Sequence, residues 1–229
     1  MADEGNQWPG DSFIGGLAPT ARTAITGSGR ARRFRPGEVL VNEGDHRHDV
    51  YVLLGGYVKI VSNSHDGRTN LLAIRGRGDL IGELSAIDMS PRTATVVAAT
   101  TVDARVVDHL AFTAFRRGHS AAEEVLQRSV LTKLRQATRM RGALNGASVS
   151  QRLAGILYYL AVRYGHPAGS ATVIDIPLSQ LELAAFVGAA EASVHRALTA
   201  LRRSGLVVTG YRQIEIQDLA ALAEVATGS

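Results

Sequence analysis

Short runs of β-branched and aliphatic residues, separated by glycine turns, fill the sequence between residues 32 and 108. The runs lie at 39–41, 50–54, 57–61, 71–74, 95–98 and 102–107, and the turns at 35–37, 43–45, 55–56, 65–67 and 76–78. Many short strands joined by regular turns are typical of an antiparallel barrel or jelly roll. The segment therefore predicts a β domain. It follows a stretch, 1–29, that we expect to be a loose leader with a short helix near 19–25.

Helical periodicity follows the β segment. Apolar residues recur there at steps of three and four, namely Leu126, Val130, Leu134, Ala137, Met140 and Leu144. A narrow apolar stripe on a long helix suits pairing with a second helix, so we expect a homodimer seam. The alternative is that the stripe packs on the chain's own barrel. Glycines within 142–146 predict a hinge, and 151–163 predicts a further helix.

One stretch near the end of the β segment combines glycine, a carboxylate and an arginine. The residues are Gly82, Glu83, Leu84 and Ser85, followed by Arg92 and Thr93. Backbone N–H groups at Gly82 can face phosphate oxygens, Arg92 can form a fork on the same phosphate, and Glu83 can accept from a ribose hydroxyl. The combination predicts a site for a small phosphorylated sugar. The alternative is an ion pair between Glu83 and Arg92 that braces the barrel.

The C-terminal part of the chain contains a helix-turn-helix pattern followed by a β wing at 205–216. Ser179 can cap the first helix, Glu182 completes a capping box, and Gly188 lies where the turn needs a positive φ. The N-terminal half of the second helix would enter the major groove of DNA. The candidate DNA-binding residues are Ser179, Gln180, Glu191, Ser193, His195, Arg196 and Arg212. The alternative is a pair of helices at a protein interface.

Together these segments resemble the family of the cyclic AMP receptor protein and the fumarate-nitrate regulator, the Crp/Fnr transcription regulators. The segment from Gly82 to Thr93 is similar to the phosphate-binding cassette of cyclic-nucleotide-binding domains. The likeness extends upstream through 34–38, 43–45 and 51–56, and it covers roughly residues 30 to 216. It implies an α+β fold with an N-terminal antiparallel β-roll (a jelly roll), a long dimerisation helix and a C-terminal winged helix-turn-helix.

The resemblance also implies a division of the chain. The domains would be a leader at 1–29, the cyclic-nucleotide-binding β-roll at 30–118, the dimerisation helix and hinge at 119–145, and the DNA-binding domain at 146–229. The protein would be a homodimer that binds double-stranded DNA and meets RNA polymerase. A second hypothesis keeps the DNA function but drops control by a cyclic nucleotide.

The resemblance assigns roles within the cassette. Gly82 and Ser85 would contribute backbone amides, Glu83 would take the ribose 2′-hydroxyl and Arg92 would pair with the cyclic phosphate. Thr93 would add a hydroxyl to the phosphate or the base. Thr138, on the long helix, would read the base, although Ala137 stands where family members present another polar residue. Cyclic AMP is the expected ligand, and cyclic GMP is possible because a threonine at position 93 can bond guanine.

The recognition helix departs from the family pattern. The cyclic AMP receptor protein commonly has Arg-Glu at the start of this helix, where this chain has Glu191 and Ala192. The later arginine is retained as Arg196, which can reach guanine or a phosphate. A carboxylate at Glu191 can instead accept from cytosine N4. We therefore expect a DNA target that differs from the usual half-site.

Composition excludes several classes of function. The chain of 229 residues has no cysteine, which removes disulfides, thiolate nucleophiles, cysteine-ligated zinc and iron–sulfur clusters. No Ser/His/Asp or paired-carboxylate arrangement supports hydrolysis, so we expect neither a catalytic site nor an enzyme. The longest apolar run is too short to span a bilayer and no signal-peptide core is present, which predicts a cytoplasmic protein without a membrane partner. The net charge of +4 permits a polyanionic partner.

Two histidines, His46 and His48, raise a third alternative, a cupin-like metalloenzyme with an appended helical domain. Such a site also needs a downstream glutamate and another histidine. Val52 and Leu53 stand where the acid would be, and His65 is the only other histidine nearby. A solvated turn is the better interpretation of the pair, and no metal is expected.

Overall fold

The computed structural model describes residues 8–63, 69–143 and 146–228. They form two compact units, one made of the described parts of 1–62 and 73–137, the other of the described parts of 63–72 and 138–229. The predicted turn at 65–67, His65, Leu144 and the hinge residue Asn145 lie outside the described residues, as does the side chain of Met140.

A β-roll of antiparallel strands lies in the first unit, apart from the described residues of 63–72, which belong to the second. The strands are β1 (Arg30–Phe34), β2 (Val39–Val41), β3 (Val50–Gly55), β4 (Val58–Asn63), β5 (Thr69–Arg75), β6 (Leu80–Ile81), β7 (Thr95–Ala98) and β8 (Val102–Val107). They form two sheets in the orders β1-β8-β3-β6 and β2-β7-β4-β5. Apolar side chains at alternate positions, such as Leu53 and Phe34, are buried together inside the roll. The predicted antiparallel β-roll is confirmed.

Strand β1 was not among the predicted runs. Its sequence contains arginines at Arg30, Arg32 and Arg33, and only its last residue, Phe34, is buried. Arg32 stacks over the Phe34 ring at 4.3 Å and Arg33 pairs with Asp103 at 2.7 Å. The strand is held by the ladder to β8, with Arg30 opposite Val106. An edge strand of this kind shows no apolar alternation in the sequence.

Helices cover the outer face of the first sheet. They are α1 (Phe13–Gly16), α2 (Pro19–Gly27), α3 (Glu83–Asp88), α4 (His109–Gly118) and α5 (Ser120–Ala143). Residues expected to be a loose leader are packed: Phe13, Ile14 and Ile25 are fully buried in a cluster with Phe112 and Leu126. This burial of large apolar side chains stabilises α1 and α2, which are too short to persist alone.

The apolar stripe on α5 has two parts. Leu126 is buried against the β-roll. Further along, Leu131 is 47% exposed, Leu134 is 60% exposed, and Ala137 is also exposed. The first part therefore packs on the chain's own domain, as the alternative interpretation held, while the second leaves leucines at the surface of the unit.

The second unit is a winged helix-turn-helix with additional elements. It contains α6 (Val149–Tyr164), β9 (His166–Ala168), β10 (Ala171–Ile174), α7 (Gln180–Val187), α8 (Glu191–Arg203), β11 (Val207–Gly210), β12 (Gln213–Ile216) and α9 (Leu219–Thr227). The sheet has the order β11-β12-β10-β9. The wing was predicted, whereas β9, β10 and α9 were not. None of the helices in the part of the chain that the structure describes is long and apolar enough to cross a membrane.

Candidate functional sites

A cavity of about 190 Å³ lies in the first unit, between the β-roll, α3 and α5. Its walls are Val41, Ile60, Ala73, Arg75, Leu80, Ile81, Gly82, Glu83, Leu84, Ser85, Arg92, Thr93, Ala94, Val96 and Lys133. The strand residues supply an apolar surface, and the charged groups come from the ends of strands and from α5. All six cassette residues predicted from the sequence line this cavity. Small-molecule sites commonly combine apolar walls with a few polar groups in this way.

Arg92 is the central cation of the cavity, and it is only 5% exposed. Its Nη1 donates to the Gly82 carbonyl at 2.8 Å and to Ser85 Oγ at 2.7 Å, and its Nη2 donates to the Asp49 carbonyl at 2.6 Å. These three partners are neutral. Burial lowers the pKa of the Arg92 guanidinium from its ordinary value. A buried cation whose hydrogen bonds within the described residues go to neutral acceptors favours the approach of an anion.

Gly82 is required by this close approach. Its φ is +80°, in the left-handed region that glycine tolerates. A Cβ at this position would collide with the Arg92 guanidinium and come within 3.0 Å of the Asp49 carbonyl. Gly82 also precedes the first turn of α3, so the chain turns into the helix beside the arginine. A side chain at position 82 would displace the Arg92 guanidinium.

Glu83 is 4% exposed and pairs with Lys133 of α5, not with Arg92. Lys133 Nζ lies 2.9 Å from Glu83 Oε1 and donates to the Leu80 carbonyl at 2.8 Å. The alternative considered above, an ion pair between Glu83 and Arg92, is therefore wrong: the ion pair of Glu83 is with Lys133. Lys133 was missed from the sequence, where it is one of several basic residues in 127–152 with no distinguishing spacing.

The pair of Glu83 and Lys133 gives a stability prediction. We expect Lys133→Met to lower the free energy of unfolding by about 3 kcal/mol, because it leaves a buried carboxylate without its cation. The double variant Lys133→Met with Glu83→Gln should recover most of that loss. The measurement is urea unfolding followed by fluorescence of Trp8, the single tryptophan, which packs against the core of the first unit. Additive losses in the double variant would show that the two side chains are not coupled.

The remaining predicted ligand residues lie in different positions. Leu84 and Thr93 line the cavity, and Thr93 is exposed. Thr138 lies on α5, five residues beyond Lys133, with an exposed side chain, and it is outside the lining given above. Within residues 8–63, 69–143 and 146–228, no group of three or more His, Cys, Asp or Glu could hold a metal ion.

The second unit contains the predicted helix-turn-helix. Ser179 Oγ accepts from the Glu182 N–H at 3.1 Å, and Glu182 Oε2 accepts from the Ser179 N–H at 2.8 Å, which confirms the capping box. Gly188 ends α7 with a φ of +67°. Val194, Leu198 and Leu201 bury one side of α8. The packing fixes the opposite side of α8 at the surface.

The exposed side of α8 presents the predicted DNA-contacting side chains. Arg196 Nη2 donates to Ser193 Oγ at 3.0 Å, so the serine orients the arginine. His195 Nδ1 lies 3.0 Å from Gln180 Oε1, which joins the start of α7 to α8. Glu191 is exposed in the first turn of α8. These pairs hold polar groups along one face of a helix whose other face is buried, the arrangement that a groove-binding helix requires.

The wing adds one further candidate. Arg212 lies in the turn between β11 and β12 with a φ of +61°, uncommon for a residue with a side chain. Its side chain and that of Tyr211 are exposed. The tight turn holds this cation at the tip of a hairpin, where it can contact a phosphate.

Comparisons with known proteins agree with this arrangement. The model of the cyclic nucleotide-binding domain matches residues 31–119, and that of the Crp-like helix-turn-helix domain matches residues 151–225. The CRP-like cAMP-activated global transcriptional regulator of Mycobacterium tuberculosis is 32% identical over 92% of this chain and 94% of its own. The chain belongs to the Crp/Fnr family. Other relatives of this Crp/Fnr protein include the cyclic AMP receptor protein of Thermus thermophilus, 28% identical over 96% of this chain and 98% of that protein.

A solved structure shows the same fold. A transcriptional regulator of the CRP family from Thermus thermophilus matches with a TM-score of 0.72 and 27% identity, covering 86% of this chain and 97% of that one. This Crp/Fnr protein is therefore a DNA-binding transcription regulator with a cyclic nucleotide-binding domain.

Proposed function

We propose that the protein is a homodimeric regulator whose DNA binding is controlled by a cyclic nucleotide bound in the cavity around Arg92. The observation that carries this proposal is the buried guanidinium with three neutral hydrogen-bond partners. A cyclic phosphodiester has a single negative charge, which one arginine matches with charge-assisted hydrogen bonds. The ligand would exchange with some of the present partners of Arg92, chiefly Ser85 Oγ, whose hydroxyl can turn to the phosphate.

The other cassette residues would hold the ribose and phosphate. Glu83, oriented by Lys133 at 2.9 Å, would accept from the ribose 2′-hydroxyl. Backbone N–H groups of Gly82, Leu84 and Ser85 would face the phosphate, with the hydroxyl of Thr93 at the same group or at the base.

Two ligands share these phosphate and ribose contacts. Cyclic AMP is the first candidate, because the relatives in Mycobacterium tuberculosis and Thermus thermophilus are named for it. Cyclic GMP is the alternative. Thr138 on α5 remains the proposed base contact from that helix.

A second copy of the chain would pack on the exposed leucines of α5. Leu131 and Leu134 lie three residues apart and present an apolar surface at 47% and 60% exposure. Such a spacing suits the interdigitation of two helices. Two copies would place two α8 helices on successive major grooves. RNA polymerase is the further partner that we propose, and the domain boundaries at residues 30, 119 and 146 stay predictions.

Control requires that the ligand bind the DNA-competent form more tightly than the other form. By linkage, DNA must then raise the affinity for the nucleotide by the same factor. Isothermal titration calorimetry with cyclic AMP and cyclic GMP, with and without a DNA fragment selected by the protein, measures both affinities. We expect binding of one nucleotide that tightens in the presence of DNA. Equal affinities with and without DNA would mean that the nucleotide does not control DNA binding.

A further inference from the structure

Arg75 is a second buried arginine in the same cavity, and the proposed phosphate contacts do not use it. It lies at the end of β5, is 8% exposed and lines the cavity together with Arg92 and Lys133. The lining thus carries three cations and one carboxylate, Glu83, which is paired with Lys133. The single negative charge of a cyclic phosphate would pair with Arg92. Arg75 can then contact another group of the same ligand.

The acceptors that hold Arg75 by hydrogen bonds within the described residues are neutral. Its Nη1 donates to the Ile74 carbonyl at 2.7 Å and to Gln136 Oε1 at 3.3 Å, both neutral acceptors. Asp79, one residue before the cavity residue Leu80, accepts from the Gly76 N–H at 3.0 Å. Burial raises the pKa of the Asp79 carboxyl, and the cations Lys133 and Arg75 oppose that rise.

Gln136 supplies a second, independent observation. Its Oε1 holds Arg75, while its Nε2 is buried and has no hydrogen-bond partner among the residues that the structure describes. Buried amide donors are rarely left unpaired in native proteins. Within the same described residues, the hydrogen bonds of Arg75 involve only Nη1, so the rest of its planar fork stays available. Arg75 therefore offers donors to a ligand in the cavity, whereas Gln136 is not among the lining residues and acts by holding Arg75 through Oε1.

A side chain that has only hydrogen-bond donors can distinguish guanine from adenine. Guanine presents two acceptors, O6 and N7, along one edge, whereas adenine presents the N7 acceptor beside the N6 amino donor. A guanidinium has no acceptor, so it can form two hydrogen bonds with guanine O6 and N7 but would face the adenine amine donor to donor.

From these contacts we infer that Arg75, oriented by Gln136, reads the base and makes the cavity select cyclic GMP over cyclic AMP. This inference rests on the proposed function, and of its two ligands it selects the alternative, cyclic GMP, over the first candidate, cyclic AMP. Arg92 binds the phosphate of either nucleotide, and Arg75 determines which base the cavity accepts. The same edge is present in cyclic IMP, which has O6 and N7 but lacks the 2-amino group of guanine.

Calorimetry on the full-length protein with cyclic GMP, cyclic IMP and cyclic AMP tests the inference. We expect cyclic GMP and cyclic IMP to bind roughly tenfold or more tighter than cyclic AMP, the discrimination typical of a two-bond arginine contact. Arg75→Met should abolish the preference, so that cyclic GMP, cyclic IMP and cyclic AMP bind with similar affinities. The matched control is Arg105→Met, which removes a half-buried arginine of β8 that does not line the cavity.

Gln136→Leu, which removes only the orienting amide, should cost part of the same preference. If the fluorescence of Trp8 shows that Arg75→Met is not folded, Gln136→Leu tests the inference in its place. Cyclic AMP binding as tightly as cyclic GMP, or an equal loss of all affinities in Arg75→Met, would overturn the reading of the base by Arg75. If no cyclic nucleotide binds the wild-type protein, the proposed function itself fails.

Discussion

We expect the replacement of Arg92 by leucine to lower the affinity for cyclic nucleotides by roughly 100- to 5,000-fold, since breaking one side of a buried charge pair costs about 3–5 kcal/mol. In the variant the phosphate would enter a cavity whose central cation is gone. The effect should be the same for cyclic AMP and cyclic GMP, because Arg92 would contact the phosphate and not the base. Calorimetry with both nucleotides measures the loss.

Two further variants separate charge from geometry. Arg92→Lys keeps the charge but loses the fork that reaches Gly82 O, Ser85 Oγ and Asp49 O, so it should recover only part of the affinity. Arg47→Leu removes an arginine that is largely exposed and pairs with Asp45 at 2.7 Å, and it should bind as the wild type does. Unchanged Trp8 fluorescence shows that the variants are folded. Wild-type affinity in a folded Arg92→Leu variant would place the ligand elsewhere.

The second large effect is expected at the recognition helix. Arg196→Ala should weaken binding to the selected DNA by roughly 10- to 100-fold, since a base-reading arginine is worth about 1–3 kcal/mol. It should also relax the preference for the base that Arg196 contacts. Fluorescence anisotropy with the selected DNA and with single-base variants of it measures both quantities.

The control for this prediction lies on the same helix. Arg203 is the last residue of α8 and is exposed, so Arg203→Ala removes the same charge from the opposite end of the helix. It should weaken binding only slightly, and equally for all DNA sequences. A larger loss in Arg203→Ala than in Arg196→Ala would contradict the assignment of the N-terminal half of α8 to the groove.

The sequence predicts the elements whose local pattern agrees with their burial. The short runs of β-branched and aliphatic residues at 50–54, 95–98 and 102–107 correspond to β3, β7 and β8. The pattern of Ser179, Glu182 and Gly188 corresponds to a capped helix and its turn. Two of the elements that were missed, β1 and α1, lack such a pattern. Strand β1 is rich in arginine and depends on its ladder to β8, and α1 has only one turn, which its burial stabilises.

Some residues of the candidate cavity were likewise predicted from the sequence, and others were not. The cassette residues lie close together along the chain, so their combination was visible in the sequence. Arg75 lies on a strand before the cassette, and Lys133 and Gln136 lie on a distant helix. Only the packing of α5 on the β-roll brings Lys133 to the cavity and Gln136 into contact with Arg75. A basic residue on an amphipathic helix gives no signal of its partner, because many such residues face solvent.

We expect occupancy of the Arg92 cavity to change the affinity of the protein for DNA. Anisotropy titrations of the selected DNA with wild type and Arg92→Leu, each with and without saturating cyclic AMP or cyclic GMP, test it most directly. The account predicts that a nucleotide shifts the wild-type affinity by roughly 5- to 150-fold, the usual range of coupling between two sites, and does not shift that of the variant. A wild-type affinity that no nucleotide changes, or an equal shift in Arg92→Leu, would contradict it.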